Sequence, residues 1–188
     1  MFGVGFRSPR GGRVETGISL YSIPWKKKQC LEQINKVQKD AEELATSIQR
    51  YVDIFLPDIK QDWCCIQMEY QTPTLHRDTS LPSFFATKDY STKIHVDNDK
   101  TQYAIGVSFI DGNVEEQYFV IPKYKIAVPL SHNLLWFWRP SIDAHGTTSV
   151  NSKTKGHRYT AVFQIPGRLG KKRTYEEEPQ ASTTTRAP

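Results

Sequence analysis

Cysteine is scarce in this chain, and the three present, Cys30 and the adjacent Cys64-Cys65, form no C-x-x-C pair and make an odd total. That pattern indicates neither a cysteine-built zinc cluster nor a disulfide framework, and suits a reducing interior. Long apolar runs are lacking too. No stretch is long enough to span a bilayer, and the amino terminus is rich in Gly and Arg where a secretory leader needs an apolar core. The sequence therefore predicts a soluble, intracellular protein with no membrane partner. An excess of charge is missing from the body as well. The formal net charge is +5, yet Arg7, Arg10 and Arg13 stand in residues 1–14 without an acid, and residues 167–188 carry five Lys or Arg against three Glu. Eight of the 25 basic residues and three of the 20 acidic ones lie in these ends, which leaves 17 of each between them. A basic face for an anionic partner must come from uneven distribution or from the ends.

A chain of 188 residues suits one domain. Residues 1–21, with Gly3, Gly5, Gly11, Gly12 and Gly17, read as a flexible basic arm, and residues 22–166 as the single domain. Residues 167–188 carry Lys171-Lys172-Arg173, then Glu176-Glu177-Glu178, and have almost nothing to bury, so disorder is expected. Within the domain, Leu31, Ile34, Val37, Ala41, Leu44, Ala45, Ile48, Tyr51, Val52 and Phe55 recur at helical steps, predicting one amphipathic helix over 26–55 ended by Pro57. Trp63 to Tyr70 reads as a buried strand closed by Pro73. Short apolar runs follow at 103–109, 117–121, 125–130, 134–138, 145–150 and 158–165, punctuated by Gly, Pro, Asn and Ser, with a turn at Asp111-Gly112-Asn113. Together with 63–70 and 93–97 these make about eight strands, the pattern of a mainly β fold with a flanking α-helix, a jelly roll or double-stranded β-helix over about 63–166.

The chemistry centres on Lys93-Ile94-His95-Val96-Asp97. On a strand, side chains one residue apart point to the same face, so an imidazole and a carboxylate in H-x-D spacing can grip one metal ion. His145 is the candidate third ligand. Two histidines and a carboxylate occupy one face of an octahedron and leave the rest open, which suits an iron(II) oxygenase with a cosubstrate and dioxygen. Thirteen residues past His145, Arg158 opens an apolar run, and its guanidinium fork can hold the far carboxylate of 2-oxoglutarate with the Thr160 hydroxyl on the same strand face. His76-Arg77-Asp78 is a rival H-x-D, but it lies among polar residues between Pro73 and Pro82, where no pleat aligns the pair. His132 lies 26 residues before Arg158 and fits a loop cap, and His157 should point away from the face that Arg158 uses.

These segments resemble the iron(II)/2-oxoglutarate dioxygenases over about 60–166, and within them the Tet and J-binding-protein group, especially the short Tet-like domains of fungi. The likeness rests on Tyr90-Ser91-Thr92-Lys93-Ile94-His95-Val96-Asp97-Asn98, Tyr118-Phe119-Val120-Ile121-Pro122, His145-Gly146-Thr147 and Arg158-Tyr159-Thr160-Ala161-Val162-Phe163, with a weaker echo in Phe2-Gly3-Val4-Gly5-Phe6-Arg7. It departs from that group at Leu130-Ser131-His132-Asn133, where a Gly-Asp pair is common, and Gln164 replaces the second arginine of the alkylation-repair relatives. The resemblance implies oxidation of the methyl group of 5-methylcytosine or a related base in nucleic acid, DNA first; a monomer is expected, and the Lys171-Lys172-Arg173 cluster can be read as a nuclear address. Tyr90, Phe84 and Phe85, expected in the loop before the metal strand, would stack on a flipped base, and Asn98 would contact its edge. The other readings are a dioxygenase of the same fold that hydroxylates a protein or small molecule, a non-catalytic β-barrel binding module, and a metal hydrolase, for which no further carboxylate stands ready as a base.

Overall fold

The computed structural model describes residues 2–5, 31–70, 72, 74–115, 117–150, 155–165 and 167. Helix α1 spans Leu31–Phe55. Its buried positions, Ala41, Ala45, Ile48 and Val52, fall at helical spacing on one face. Tyr51 and Phe55, counted with that face from the sequence, instead stack on each other at 6.4 Å on the outside. The expected start of this helix, Lys26 to Cys30, lies outside the described residues, as do 6–21 of the arm and the tail beyond Gly167.

Trp63 to Tyr70 is not a strand. It belongs to a second helix, α2, at Pro57–Tyr70. Pro57 stands at the first helical position, where its missing N–H is not needed, so it opens α2 as well as ending α1. The buried residues Ile59, Trp63 and Ile66 recur at four and three residues, a helical period that is lost when the segment is read from Trp63 onwards. Cys65 and Met68 face outward.

The strands are β1 (Phe2–Gly5), β2 (Ser83–Lys88), β3 (Thr92–His95), β4 (Ala104–Asp111), β5 (Tyr118–Ile121), β6 (Ile126–Pro129), β7 (Leu134–Trp138), β8 (His145–Thr147) and β9 (His157–Phe163). They form two antiparallel sheets, ordered β1-β2-β9-β4-β7 and β3-β8-β5-β6, in a double-stranded β-helix as expected. Phe2–Gly5, expected within a flexible arm, is an edge strand paired with β2. Such pairing uses main-chain groups that a glycine-rich segment still has.

The larger sheet has two different faces. Phe84, Ile105, Val107, Ala161 and Phe163 pack outward under α1 and α2, with Trp63 at the centre of that layer. On the inner face the register runs Phe85, Val162, Gly106, Trp136 across β2, β9, β4 and β7. A Cβ at Gly106 would lie 2.3 Å from the Trp136 indole, so the absence of a side chain lets that ring lie across β4. Gly106→Ala is expected to lose about 1–3 kcal/mol through overpacking, read as a lower urea midpoint at unchanged slope. The turn expected after β4 is present, with Gly112 at φ 82°, a left-handed conformation that glycine adopts without strain. No helix among the described residues is long and apolar enough to cross a membrane.

Candidate metal centre and cavity

His95 ends β3 and His145 begins β8, and the two residues are direct antiparallel partners. The ladder slips by one residue between Thr92 and His95, a bulge of the kind that re-aims a side chain. Asp97 lies beyond the end of β3, so the pleat alone does not align it with His95. Its N–H donates to the carbonyl of Pro140 at 2.9 Å, and this contact does the aligning.

The ring nitrogens are oriented by carbonyls. Nδ1 of His95 lies 2.8 Å from the Lys93 carbonyl, and Nδ1 of His145 lies 2.8 Å from the Asp143 carbonyl. A carbonyl only accepts, so each Nδ1 carries the proton and each Nε2 presents a lone pair. His95 Nε2 stands 3.4 Å from Asp97 Oδ1, and His145 Nε2 stands 3.3 Å from Asp97 Oδ2. One ligand atom from each residue fits within 4.8 Å of the others. Two imidazole lone pairs turned on two carboxylate oxygens repel unless a cation lies between them, so this donor set fits a divalent metal. A proton can take part of that role. Burial opposes charge on His145, but hydrogen bonds to Asp97 and the Asp143 carbonyl and the charges of Asp97 and Asp99 raise its pKa above the ordinary value. Burial, with the charge of Asp97 beside it, pushes Asp99 up to about 7.

The turn after β7 anchors this arrangement. Asp143 is 4% exposed. Burial works against its charge, yet hydrogen bonds from Arg139 and Tyr124 hold its pKa below the ordinary carboxylate value. Arg139 Nε donates to Asp143 Oδ2 at 3.0 Å, and the Tyr124 hydroxyl donates to Oδ1 at 3.0 Å. The fixed carboxylate in turn fixes the carbonyl that His145 uses.

The centre opens into a cavity of about 230 Å³ between the two sheets. Alternation along β9 brings Arg158, Thr160, Val162 and Gln164 to its wall, and β2 contributes Phe85 and Thr87. Arg158 is 2% exposed, and one guanidinium nitrogen, Nη2, donates to the Tyr90 carbonyl. Its Nε and the Thr160 hydroxyl are buried without a hydrogen-bond partner. No carboxylate among the described residues pairs with the guanidinium. Burial pushes its pKa down to about 10, against the raising charge of Asp89. Buried groups left unmet by the protein in a cavity wall fit a ligand with acceptor oxygens.

Phe119, Trp136 and Trp138 make the apolar side. Their rings approach at 4.9 Å (Phe119 to Trp138) and 5.8 Å (Phe119 to Trp136), and Trp138 reaches the His145 ring at 5.4 Å. Sequence reasoning missed this wall. The signal was Trp136-Phe137-Trp138, where strand alternation sends both indoles inward and leaves Phe137 50% exposed.

Among the expected substrate contacts, Tyr90 and Phe85 line the cavity. Phe84 does not. It is on β2 rather than in a loop, and the alternation that turns Phe85 inward buries Phe84 under the helices, 5.3 Å from the Phe163 ring. Asn98 is exposed and outside the lining, with its carbonyl accepting from Gly167 N–H at 2.6 Å. The other histidines stay apart from the metal cluster. His76 is in a loop, 3.5 Å from Asp78. His132 Nδ1 sits 3.0 Å from the backbone N of Ile110 at a turn. His157 points outward to Asp89 at 2.7 Å.

No family model and no curated protein matches the chain. Among solved structures, NgTET1 in complex with 5mC DNA matches with a TM-score of 0.66 at 12% identity, over 90% of this chain and 62% of that one. The chain thus spans under two thirds of the length of that neighbour. Likeness at this level concerns the path of the backbone, and it agrees with the sheet order: the chain has the double-stranded β-helix fold seen in a Tet-like enzyme.

Proposed function

We propose that this chain is an iron(II)/2-oxoglutarate-dependent dioxygenase that oxidises the methyl group of a modified base, 5-methylcytosine or a relative, in DNA. The observation that carries this reading is the pairing, across one cavity, of the His95, Asp97 and His145 donor set with a buried Arg158 that has no carboxylate partner among the described residues. Iron(II), when bound there, supplies the redox chemistry that couples decarboxylation of 2-oxoglutarate by dioxygen to hydroxylation of a C–H bond. The chain supplies geometry. His95, Asp97 and His145 would hold the ion through one ligand atom each. Arg158 and Thr160 take the far carboxylate of 2-oxoglutarate, which meets the unmet Nε and hydroxyl. Phe119, Trp136 and Trp138 keep water from that side.

The nucleic-acid substrate has two supports: the solved neighbour is a complex with 5mC DNA, and Phe85 and Tyr90 offer aromatic faces at the cavity. A base taken from a duplex must be flipped out, at a cost of about a few kcal/mol that stacking on such rings offsets.

The test starts without air. Purified protein given iron(II) and 2-oxoglutarate is expected to develop the weak visible charge-transfer band of the chelate, and His95→Ala and Arg158→Ala are expected to lose it. Addition of air and methylated DNA, followed by nucleoside mass analysis, is expected to yield hydroxymethylcytosine or a further oxidised base. A band without base oxidation moves the reading to a dioxygenase acting on a protein or small molecule. No band in the wild-type protein overturns the iron site.

A further inference from the structure

Asp89 lies between β2 and β3 with φ at 49°, a left-handed conformation that Asp and Asn accept more readily than most side chains do. It seizes Arg158 by the main chain. The N–H of Asp89 donates to the Arg158 carbonyl at 2.8 Å, and the N–H of Arg158 donates back to Asp89 Oδ1 at 2.8 Å. The second carboxylate oxygen accepts from His157 Nδ1 at 2.7 Å. The next residue, Tyr90, takes the guanidinium itself through its carbonyl. The regular β2–β9 register ends at Lys88 and Tyr159, and Asp89 carries the contact one step further with one main-chain bond and one side-chain bond to Arg158.

The arrangement solves a particular problem. A buried arginine meant for an anionic ligand needs a fixed direction, but a carboxylate on its fork would compete with the ligand. Asp89 spends its oxygens on the Arg158 N–H and on His157, so it places negative charge nearby without occupying the fork. The carbonyl of Tyr90 sets the direction, and the guanidinium edge stays open to the cavity.

We propose that Asp89 is a positioning residue for the cosubstrate, acting through Arg158 as a latch that aims the guanidinium at the far carboxylate of 2-oxoglutarate. This rests on the functional reading above. The latch predicts a loss confined to ligands that reach Arg158.

Titration calorimetry on the manganese(II)-loaded chain without oxygen tests it, with 2-oxoglutarate and with 2-oxobutyrate, which shares the keto acid and lacks the far carboxylate. Asp89→Gly keeps the left-handed backbone unstrained and removes the acceptor. It is expected to weaken 2-oxoglutarate about tenfold, as loss of a hydrogen bond in a charged network does, and to leave 2-oxobutyrate and manganese unchanged. Asp89→Asn retains an acceptor oxygen and is expected to restore 2-oxoglutarate binding. Equal weakening of both ligands, or no weakening of 2-oxoglutarate, overturns the latch while the functional reading stands. Wild-type protein that binds the two ligands alike overturns both, because the far carboxylate then has no site. Circular dichroism on each variant separates these outcomes from unfolding.

Discussion

Arg158→Met is expected to raise the melting temperature and at the same time abolish binding of 2-oxoglutarate. Arg158 is 2% exposed, and its charge meets no ion-pair partner among the described residues. Its Nε is unmet, and burial pushes its pKa down to about 10. Replacing a buried charge with an apolar side chain of similar volume is neutral or stabilising by about 1–4 kcal/mol. The Tyr90 carbonyl loses its donor in the exchange, which places the gain near the lower end of that range. For a domain of this size the gain corresponds to about 2–4 °C per kcal/mol in a thermal melt. The same change removes the only charged group proposed for the far carboxylate and leaves the Thr160 hydroxyl alone there, so added 2-oxoglutarate should no longer shift the melt of the variant. A variant that melts lower than the wild type would mean that the arginine is a structural element and that its unmet nitrogen is not held for a ligand.

Trp63→Ala is expected to be the most damaging single truncation in the helical layer. The side chain is 1% exposed, and its Nε1 donates to the Tyr103 carbonyl at 3.0 Å, tying α2 to the segment that leads into β4. Truncating a buried tryptophan costs about 3–5 kcal/mol, and the Tyr103 carbonyl loses its partner as well. Against a total of about 5–15 kcal/mol for an ordinary domain, that removes a large share of the stability. Urea unfolding followed by circular dichroism measures it. Met68→Ala on the same helix, at 81% exposed, serves as the control and should stay within about 0.5 kcal/mol of the wild type. Equal midpoints for the two variants would show that α2 does not pack on the sheet through Trp63.

That contrast also explains what could be read from the residues beforehand. The H-x-D pair was legible because two ligand types at strand spacing are a local pattern. The strands from β4 to β9 were legible because Gly, Pro and Asn punctuate them. Helix α2 was misread for a physical reason: large apolar and sulfur side chains from Trp63 to Tyr70 suit a buried strand, and the period that reveals a helix includes Ile59, ahead of that run. The strand at Phe2–Gly5 was hidden because its partner β2 is distant in sequence and its glycines favour no element. In the sequence Phe84 and Phe85 look like a pair in a loop. Once β2 is a strand they must diverge, one into the helical layer and one into the cavity. The inward indoles of β7 needed only alternation, but which face was inner depended on sheet order, and that is not a local property.

The turn between β7 and β8 has a consequence for how the centre can vary. Its Pro140 carbonyl holds Asp97 and its Asp143 carbonyl holds His145, and Arg139, which starts it, clamps the Asp143 carboxylate. Two candidate ligands that are far apart in the sequence are thus yoked to one short piece of backbone. A change there moves them together, as a wheel moves with its axle, so residues in this turn should not contribute independently to metal affinity.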